Sequence, residues 1–397
     1  ECCKLWRRAS PPPPPIMWPR SRSMLQQQRR TLSAAVQAGF GQLVGGTRLV
    51  YLRGPSEASG CSIYGKCEWE GPGGSIKDRA AWWMVRGAEE DGILRRGERG
   101  LIVEGTAGNT GIGLALAAAS LGYDALIVLP NTQSQEKKDL LRQAGATVVE
   151  VPAVPFRDPN NFVHVATRMA ERARTGGEYG SRVFYANQWD NMRNRQAHFE
   201  GTGPELWEQL GGKLDAFSCA IGTGGTLTGV AQYLRSVAPD VQIALTDPHG
   251  AALVRYFEHG ELKGDGSSIS EGIGQGRVTG NIGHGDFRPD MCLEVGDDEM
   301  MEAIISVHTH DGLAIGTSAG VNVAGAMRVA RHLGPGHTLA TVLCDRADRY
   351  ASKLYDPAFL QSKGLRIPPW LGQDPSDEKA AYFEELRSAA LVTPPAA

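Results

Sequence analysis

From Leu101 onward, short apolar runs alternate with longer segments whose apolar residues recur every three or four positions. Leu101-Ile102-Val103-Glu104 predicts a strand, Gly105 to Gly111 a loop, and Ile112 to Leu121 a helix whose alanines suit close packing on a sheet. Ala125 to Leu129 predicts the next strand, Ser134 caps a helix through Ala144, and Thr147 to Val151 is strand again. Phe162, Val165, Met169 and Ala173 repeat at helical spacing, and Val183 to Ala186 reads as another strand. Strand, helix and strand in series dictate a parallel sheet with right-handed crossovers.

A second set follows Gly201-Thr202-Gly203-Pro204, beginning with a helix from Pro204 to Leu210. Ala216 to Ile221 predicts a strand, Leu227 to Val237 a helix and Gln242 to Thr246 a strand. Asp297 or Asp298 caps a helix to His308, Gly320 to Leu333 forms another, and Thr338 to Cys344 closes the set as a strand. The pattern is that of an α/β protein with two three-layer αβα units and mostly parallel sheets. Beyond about Leu365 a proline-broken segment leads to a polar helix from Ser376 to Ser388.

Composition agrees with two packed units, since 397 residues exceed one typical domain. A net charge of −3 leaves no large basic surface for nucleic acid, and no apolar run reaches the roughly 18–20 residues of a membrane span. The 50 glycines cluster in short loops between apolar runs, where ligand loops of α/β proteins lie. Cys2, Cys3, Cys61, Cys67, Cys219, Cys292 and Cys344 show neither zinc-site spacing nor a disulfide framework, so no metal and a reducing compartment are expected. Residues 1–40 carry Lys4, Arg7, Arg8, Arg20, Arg22, Arg29 and Arg30 against the single acid Glu1. That basic, serine-containing, acid-poor composition is that of a mitochondrial presequence; an ordinary disordered tail, and a cytoplasmic protein, is the alternative.

Four loops could carry chemistry. In Gly71-Pro72-Gly73-Gly74-Ser75-Ile76-Lys77-Asp78-Arg79-Ala80, a tight turn places Lys77 where a helix opens onto Ala80, Ala81 and Met84. A lysine in apolar surroundings favours its neutral amine, which attacks aldehydes. Gly222-Thr223-Gly224-Gly225-Thr226 follows a strand and precedes a helix, so converging N–H groups and hydroxyls form a cup for phosphate, or simply a glycine-rich turn. It lacks the Gly-Lys-Ser/Thr ending of a nucleotide P-loop. Gly105-Thr106-Ala107-Gly108-Asn109-Thr110-Gly111 has the wrong glycine spacing for a dinucleotide fingerprint and instead offers neutral donors for a carboxylate or ring hydroxyl. Gly316-Thr317-Ser318-Ala319-Gly320 matches the elbow of serine hydrolases. The required order of acid and then histidine does not follow, which leaves Ser318 as a hydroxyl at a helix start.

Together these motifs resemble the cysteine synthase family of pyridoxal-phosphate enzymes with the tryptophan-synthase-like fold. The resemblance runs from about Gly45 to Ala351, beginning at Gly46-Thr47-Arg48-Leu49-Val50-Tyr51-Leu52. It implies a larger cofactor-binding domain of residues 41–75 and 195–365, a smaller substrate-closing domain of residues 76–194, and a tail of residues 366–397. By position it implies that Lys77 binds the aldehyde of pyridoxal 5'-phosphate, and that Gly222, Thr223, Gly224, Gly225 and Thr226 hold the phosphate. Asn109 would meet the ring hydroxyl and Ser318 the pyridine nitrogen. Thr106, Ala107, Asn109, Thr110 and Gln188 would bind the substrate carboxylate, with Gly272 at the mouth.

The implied reaction is replacement of the acetate of O-acetyl-L-serine by sulfide in a homodimer. Cystathionine β-synthase, serine dehydratase and cysteine desulfhydrase chemistry are alternatives, as is a pyridoxal-binding regulatory protein with little catalysis. Three departures from the family pattern stand out: Ala107 in place of serine, Asn191-Met192 in place of asparagine-proline, and Asp345-Arg346-Ala347-Asp348-Arg349-Tyr350 in place of Asp-Ser-Gly-Glu-Arg-Tyr. Arg346 is expected to bring a long cation near the cofactor.

Overall fold

Two sheets carry the fold in a computed structural model that describes residues 39–106, 108–283, 287–371 and 382–387. The larger sheet runs β1 (Leu49–Tyr51), β2 (Ser62–Cys67), β10 (Thr338–Leu343), β7 (Ala216–Cys219), β8 (Gln242–Pro248), β9 (Met291–Val295). Only the β1–β2 pair is antiparallel. The smaller sheet runs β5 (Thr147–Val151), β4 (Asp124–Pro130), β3 (Leu101–Gly105), β6 (Val183–Tyr185), and is parallel throughout. Every residue of β3 and of β7 is buried, which is why Leu101-Ile102-Val103 and Ala216-Phe217 run consecutively rather than alternating with polar residues.

Helix Lys77–Glu90 lies against helix Asn109–Leu121 on one face of the smaller sheet. Ala80, Ala81 and Met84 meet Ile112, Leu114 and Ala115 there, all fully or nearly buried. The approach is close enough that a Cβ at Gly113 would lie 3.0 Å from the Ala81 Cβ. Small residues at this crossing are therefore a packing requirement.

Three helices begin earlier than the hydrophobic period indicates. They start at Asn109, Gly225 and Thr317 instead of Ile112, Leu227 and Gly320. Their first turns consist of polar and glycine residues that carry no apolar signal, and none has a side-chain cap. A further correction concerns helix Asp297–Asp311: Gly296 precedes it, donating its N–H to Glu299 (3.3 Å), and neither Asp297 nor Asp298 is the cap. Asp297 instead accepts hydrogen bonds from Ser268 and from the N–H of Ile269 (3.0 Å), fastening the segment that leads to Glu271 and Gly272. Ser134 does occupy the N-cap position of helix Gln135–Gln143, but its hydroxyl makes no capping bond.

The sequence pattern left β1, β2, β9 and helices Arg53–Ser59, Met192–Ala197 and Leu253–His259 unassigned. Residues 382–387 are helical, and the remainder of the helix expected from Ser376 to Ser388 lies outside the described residues, as does most of the basic segment 1–40. Among the described residues no helix is long and apolar enough to cross a membrane.

Candidate active site

Four helix beginnings meet at one cavity of about 440 Å³. Lys77, Asn109, Thr110 and Ser318 lie in the first turns of three of those helices, and Thr223 just precedes the fourth. Lys77 is half-buried and faces both this cavity and a small pocket beside it. Its position is fixed by the preceding turn. The Asp78 carboxylate accepts from the N–H of Gly73 (2.9 Å) and of Ser75 (3.4 Å), and Gly74 adopts φ +72°. A Cβ at Gly73 would lie 2.3 Å from that carboxylate, so the turn closes only around glycine. Burial pushes Asp78 up to about 7.

The small pocket is lined by Gly222, Thr223, Gly224 and Thr226 together with Lys77. Gly224 has φ +90°, and the helix after it starts without a side-chain cap, leaving its first N–H groups directed at the pocket end. Gly225 opens that helix and lines neither cavity; a Cβ there would sit 2.3 Å from Asn194 Oδ1. Asn194 Nδ2 donates to Thr223 Oγ1 (2.9 Å), and His198 Nε2 lies 3.2 Å from Thr226 Oγ1. His198 is fully buried; burial, then the charges of Arg79 and Lys77, lower its pKa well below the usual range and keep it neutral.

On the opposite wall Thr106, Asn109, Thr110, Gln188 and Gly272 line the larger cavity. Thr110 donates to Gln188 Oε1 (2.6 Å), and Gln188 Nε2 donates to Glu104 Oε1 (3.0 Å). Asn109 Nδ2 donates to Asp345 Oδ2 (2.7 Å), which also accepts from Tyr350 (2.8 Å), while Arg349 donates to Asn109 Oδ1 and to the Gly73 carbonyl. Ser318 is buried against the Cys344 thiol, which burial pushes up to about 11. Ala107 lies outside the described residues.

Arg346 requires a correction. Its side chain is 63% exposed, pairs with Asp348 at 3.6 Å and lines neither cavity. The cation that enters is Arg349, three residues on. Sequence reading also passed over Lys137, Glu271 and Lys353, which line the same cavity. Glu271 stands next to Gly272, which the resemblance places at the mouth; nothing local marks the two lysines.

Residues 41–345 match the family model described as "Pyridoxal-phosphate dependent enzyme". Cysteine synthase 1 of Neurospora crassa is 47% identical over 333 residues, covering 83% of this chain and 86% of the relative. The chain belongs to the cysteine synthase family of pyridoxal-phosphate-dependent enzymes. A relative from Saccharomyces cerevisiae, provisionally named a mitochondrial cysteine synthase, is 37% identical and covers 81% of this chain and 84% of itself. The crystal structure of O-ureido-L-serine synthase superposes with a TM-score of 0.71 at 30% identity, covering 86% of this chain and 98% of that one.

Pyridoxal 5'-phosphate is the cofactor. The residues fit it: an uncapped helix start, a glycine cup where a Cβ at Gly222 would strike the Gly272 carbonyl oxygen at 2.3 Å, and a lysine facing the same pocket.

The Gln188 contact has a pH consequence. Glu104 is fully buried and its Oε2 has no hydrogen-bond partner, so burial raises its pKa from 4.5 to about 8. The folded state then holds a proton that the unfolded state has released, and stability falls as pH rises from 4.5 to 8. Glu104→Gln is expected to reduce that fall in Tm by about 3 °C or more, read by calorimetry across the window. Asp78 and Asp247, both pushed up to about 7 by burial, act with the same sign in both proteins, so the difference isolates Glu104.

Proposed function

We propose that the chain makes L-cysteine from O-acetyl-L-serine and sulfide by β-replacement. The observation that carries this reading is that Lys77 lines both the pocket of Gly222, Thr223, Gly224 and Thr226 and the cavity of Thr106, Asn109, Thr110 and Gln188. Gly222, Thr223, Gly224 and Thr226 would hold the cofactor phosphate at the helix N-terminus that Gly225 opens, and Lys77 would hold its aldehyde carbon. Bound there, pyridoxal phosphate supplies an electron sink for the charge left on the substrate α-carbon. Ser318 presents a neutral hydroxyl to the pyridine nitrogen and Asn109 its amide to the ring hydroxyl; a neutral partner favours elimination and replacement over transamination.

Thr106, Asn109, Thr110 and Gln188 hold the amino-acid carboxylate, and Gly272 leaves the mouth open beside them. Released from the aldehyde carbon as the substrate amino group takes its place there, Lys77 Nζ would take the α-proton, acetate departs with the electron pair of its C–O bond, and sulfide sulfur bonds to the β-carbon. Lys77 then returns the proton. Residues 76–194 close over the bound substrate and exclude water.

The test follows the cofactor absorbance of the purified holoenzyme as O-acetyl-L-serine and then sulfide are added, with L-cysteine quantified. The expected result is a spectral change on adding the first substrate that sulfide reverses with one L-cysteine per acetate released. A spectrum that O-acetyl-L-serine leaves unchanged would exclude this donor.

The basic, acid-poor residues 1–40 support a mitochondrial address, in keeping with the provisional name of the yeast relative. Residues 1–40 fused to a fluorescent protein are expected to direct it to mitochondria, and a cytoplasmic signal would remove that assignment. A homodimer follows from the family resemblance and is read from sedimentation.

A further inference from the structure

Besides Lys77, the larger cavity is lined by three cations, Lys137, Arg349 and Lys353, against one acid, Glu271. The three come from separate elements around the mouth. Lys137 lies in helix Gln135–Gln143 beside the smaller sheet, Arg349 in the turn Ala347–Tyr350, and Lys353 in helix Ala351–Leu354. Both lysines form ion pairs with the single carboxylate of Glu271, one on each oxygen. Arg349 bonds two neutral acceptors, Asn109 Oδ1 and the Gly73 carbonyl, and so adds charge without consuming any. The mouth is therefore short of negative charge. Burial, and then the neighbouring Lys353, push Lys137 down to about 8, against the opposing charge of Asp345. Asp345 lies close by, but it is fully buried and its Oδ2 already accepts hydrogen bonds from Asn109 and Tyr350.

A carboxylate held between two lysines shows what this place binds. We propose that Lys137, Lys353 and Arg349 form an anion subsite, occupied in this structure by Glu271, that receives the carboxylate leaving group of the acyl donor. The subsite rests on the reading of this cavity as the substrate site. As the C–O bond to the β-carbon breaks, its electron pair goes to the departing carboxylate, and the paired lysines neutralise the charge that develops. Glu271 swings aside to admit the leaving group and returns to expel it, so the internal carboxylate and the leaving one compete for the same two ammonium groups.

Sodium acetate is the probe, titrated calorimetrically into holoenzyme in chloride-free buffer at fixed ionic strength. Removing the internal competitor with Glu271→Gln is expected to tighten acetate binding about tenfold, whereas Lys137→Met with Lys353→Met weakens it about tenfold. Product inhibition by acetate shifts in the same two directions, and the double lysine variant loses kcat with its cofactor spectrum intact. The opposite signs matter, because a purely structural bridge would weaken binding in every variant. Equal acetate affinity in all proteins, or weaker binding by Glu271→Gln, would overturn the subsite. If L-cysteine forms while the affinities stay equal, the subsite fails and the reaction stands. If O-acetyl-L-serine is not consumed while the affinities shift as expected, the anion site stands and another donor must be found.

Discussion

Lys77→Ala is expected to lower kcat by at least about 10³-fold, because in the proposed mechanism one side chain both holds the cofactor and, once released, moves the α-proton. The fold should survive the change. Lys77 is half-buried at the first position of its helix, and the turn before it is fastened by Asp78 through Gly73 and Ser75, none of which contact depends on the lysine side chain. The cofactor should still bind, because the pocket of Gly222, Thr223, Gly224 and Thr226 is built from other residues. Its absorbance should then be that of the free aldehyde, and excess O-acetyl-L-serine should change the spectrum without releasing acetate. The measurement is steady-state L-cysteine formation alongside the spectrum and a melting curve. Activity within tenfold of the unaltered enzyme, with normal folding, would remove Lys77 from the chemistry.

Where the chain is buried on both faces, its fold could be read directly from the sequence. β3 and β7 are enclosed completely, and each opens on consecutive apolar residues before a buried polar one, Glu104 or Ser218. β2 was not legible, because Ser-Ile-Tyr-Gly-Lys-Cys places a lysine in its interior. Lys66 is nevertheless fully buried, held by the Thr47 carbonyl (2.6 Å), Gln209 (2.8 Å) and Glu205 (2.7 Å), partners that only tertiary structure brings together. β9 is an edge strand whose partly exposed residues leave a weak apolar signal.

The same division runs through the site. Lys77, the glycine cup and the asparagine loop are local motifs, each encoded within ten residues or fewer. Long-range pairs had no such signal: Asn109 with Asp345, 236 positions apart, and Lys137 with Glu271, 134 apart. Arg346 and Arg349 differ only in which way a short turn directs them, a distinction that residue type does not encode.

Gly222→Ala should weaken cofactor binding about 100-fold while leaving the protein folded, since the added methyl meets backbone on the opposite side of the cup. A Cβ at Gly222 would lie 2.3 Å from the Gly272 carbonyl oxygen and 3.5 Å from its carbon. Neither atom belongs to a side chain that can rotate away. The facing segment is also tied down, because the Gly274 N–H donates to the Ile221 carbonyl at 3.0 Å and Asp297 holds Ile269 at 3.0 Å. Relief must therefore come from the Gly222–Thr226 loop itself, and moving it misdirects the N–H groups of the helix start. Two neighbouring glycines separate this clash from a general intolerance. Gly276 has open space at its Cβ and no positive φ, so Gly276→Ala should bind cofactor normally. Gly272 also has open space but φ +75°, so Gly272→Ala should cost about 1 kcal/mol of backbone strain and affect stability more than cofactor affinity. Titrating each apoprotein with pyridoxal phosphate, followed by absorbance, ranks the three. If Gly222→Ala binds within about threefold of the unaltered protein, a difference of under about 1 kcal/mol, the cup does not hold the phosphate.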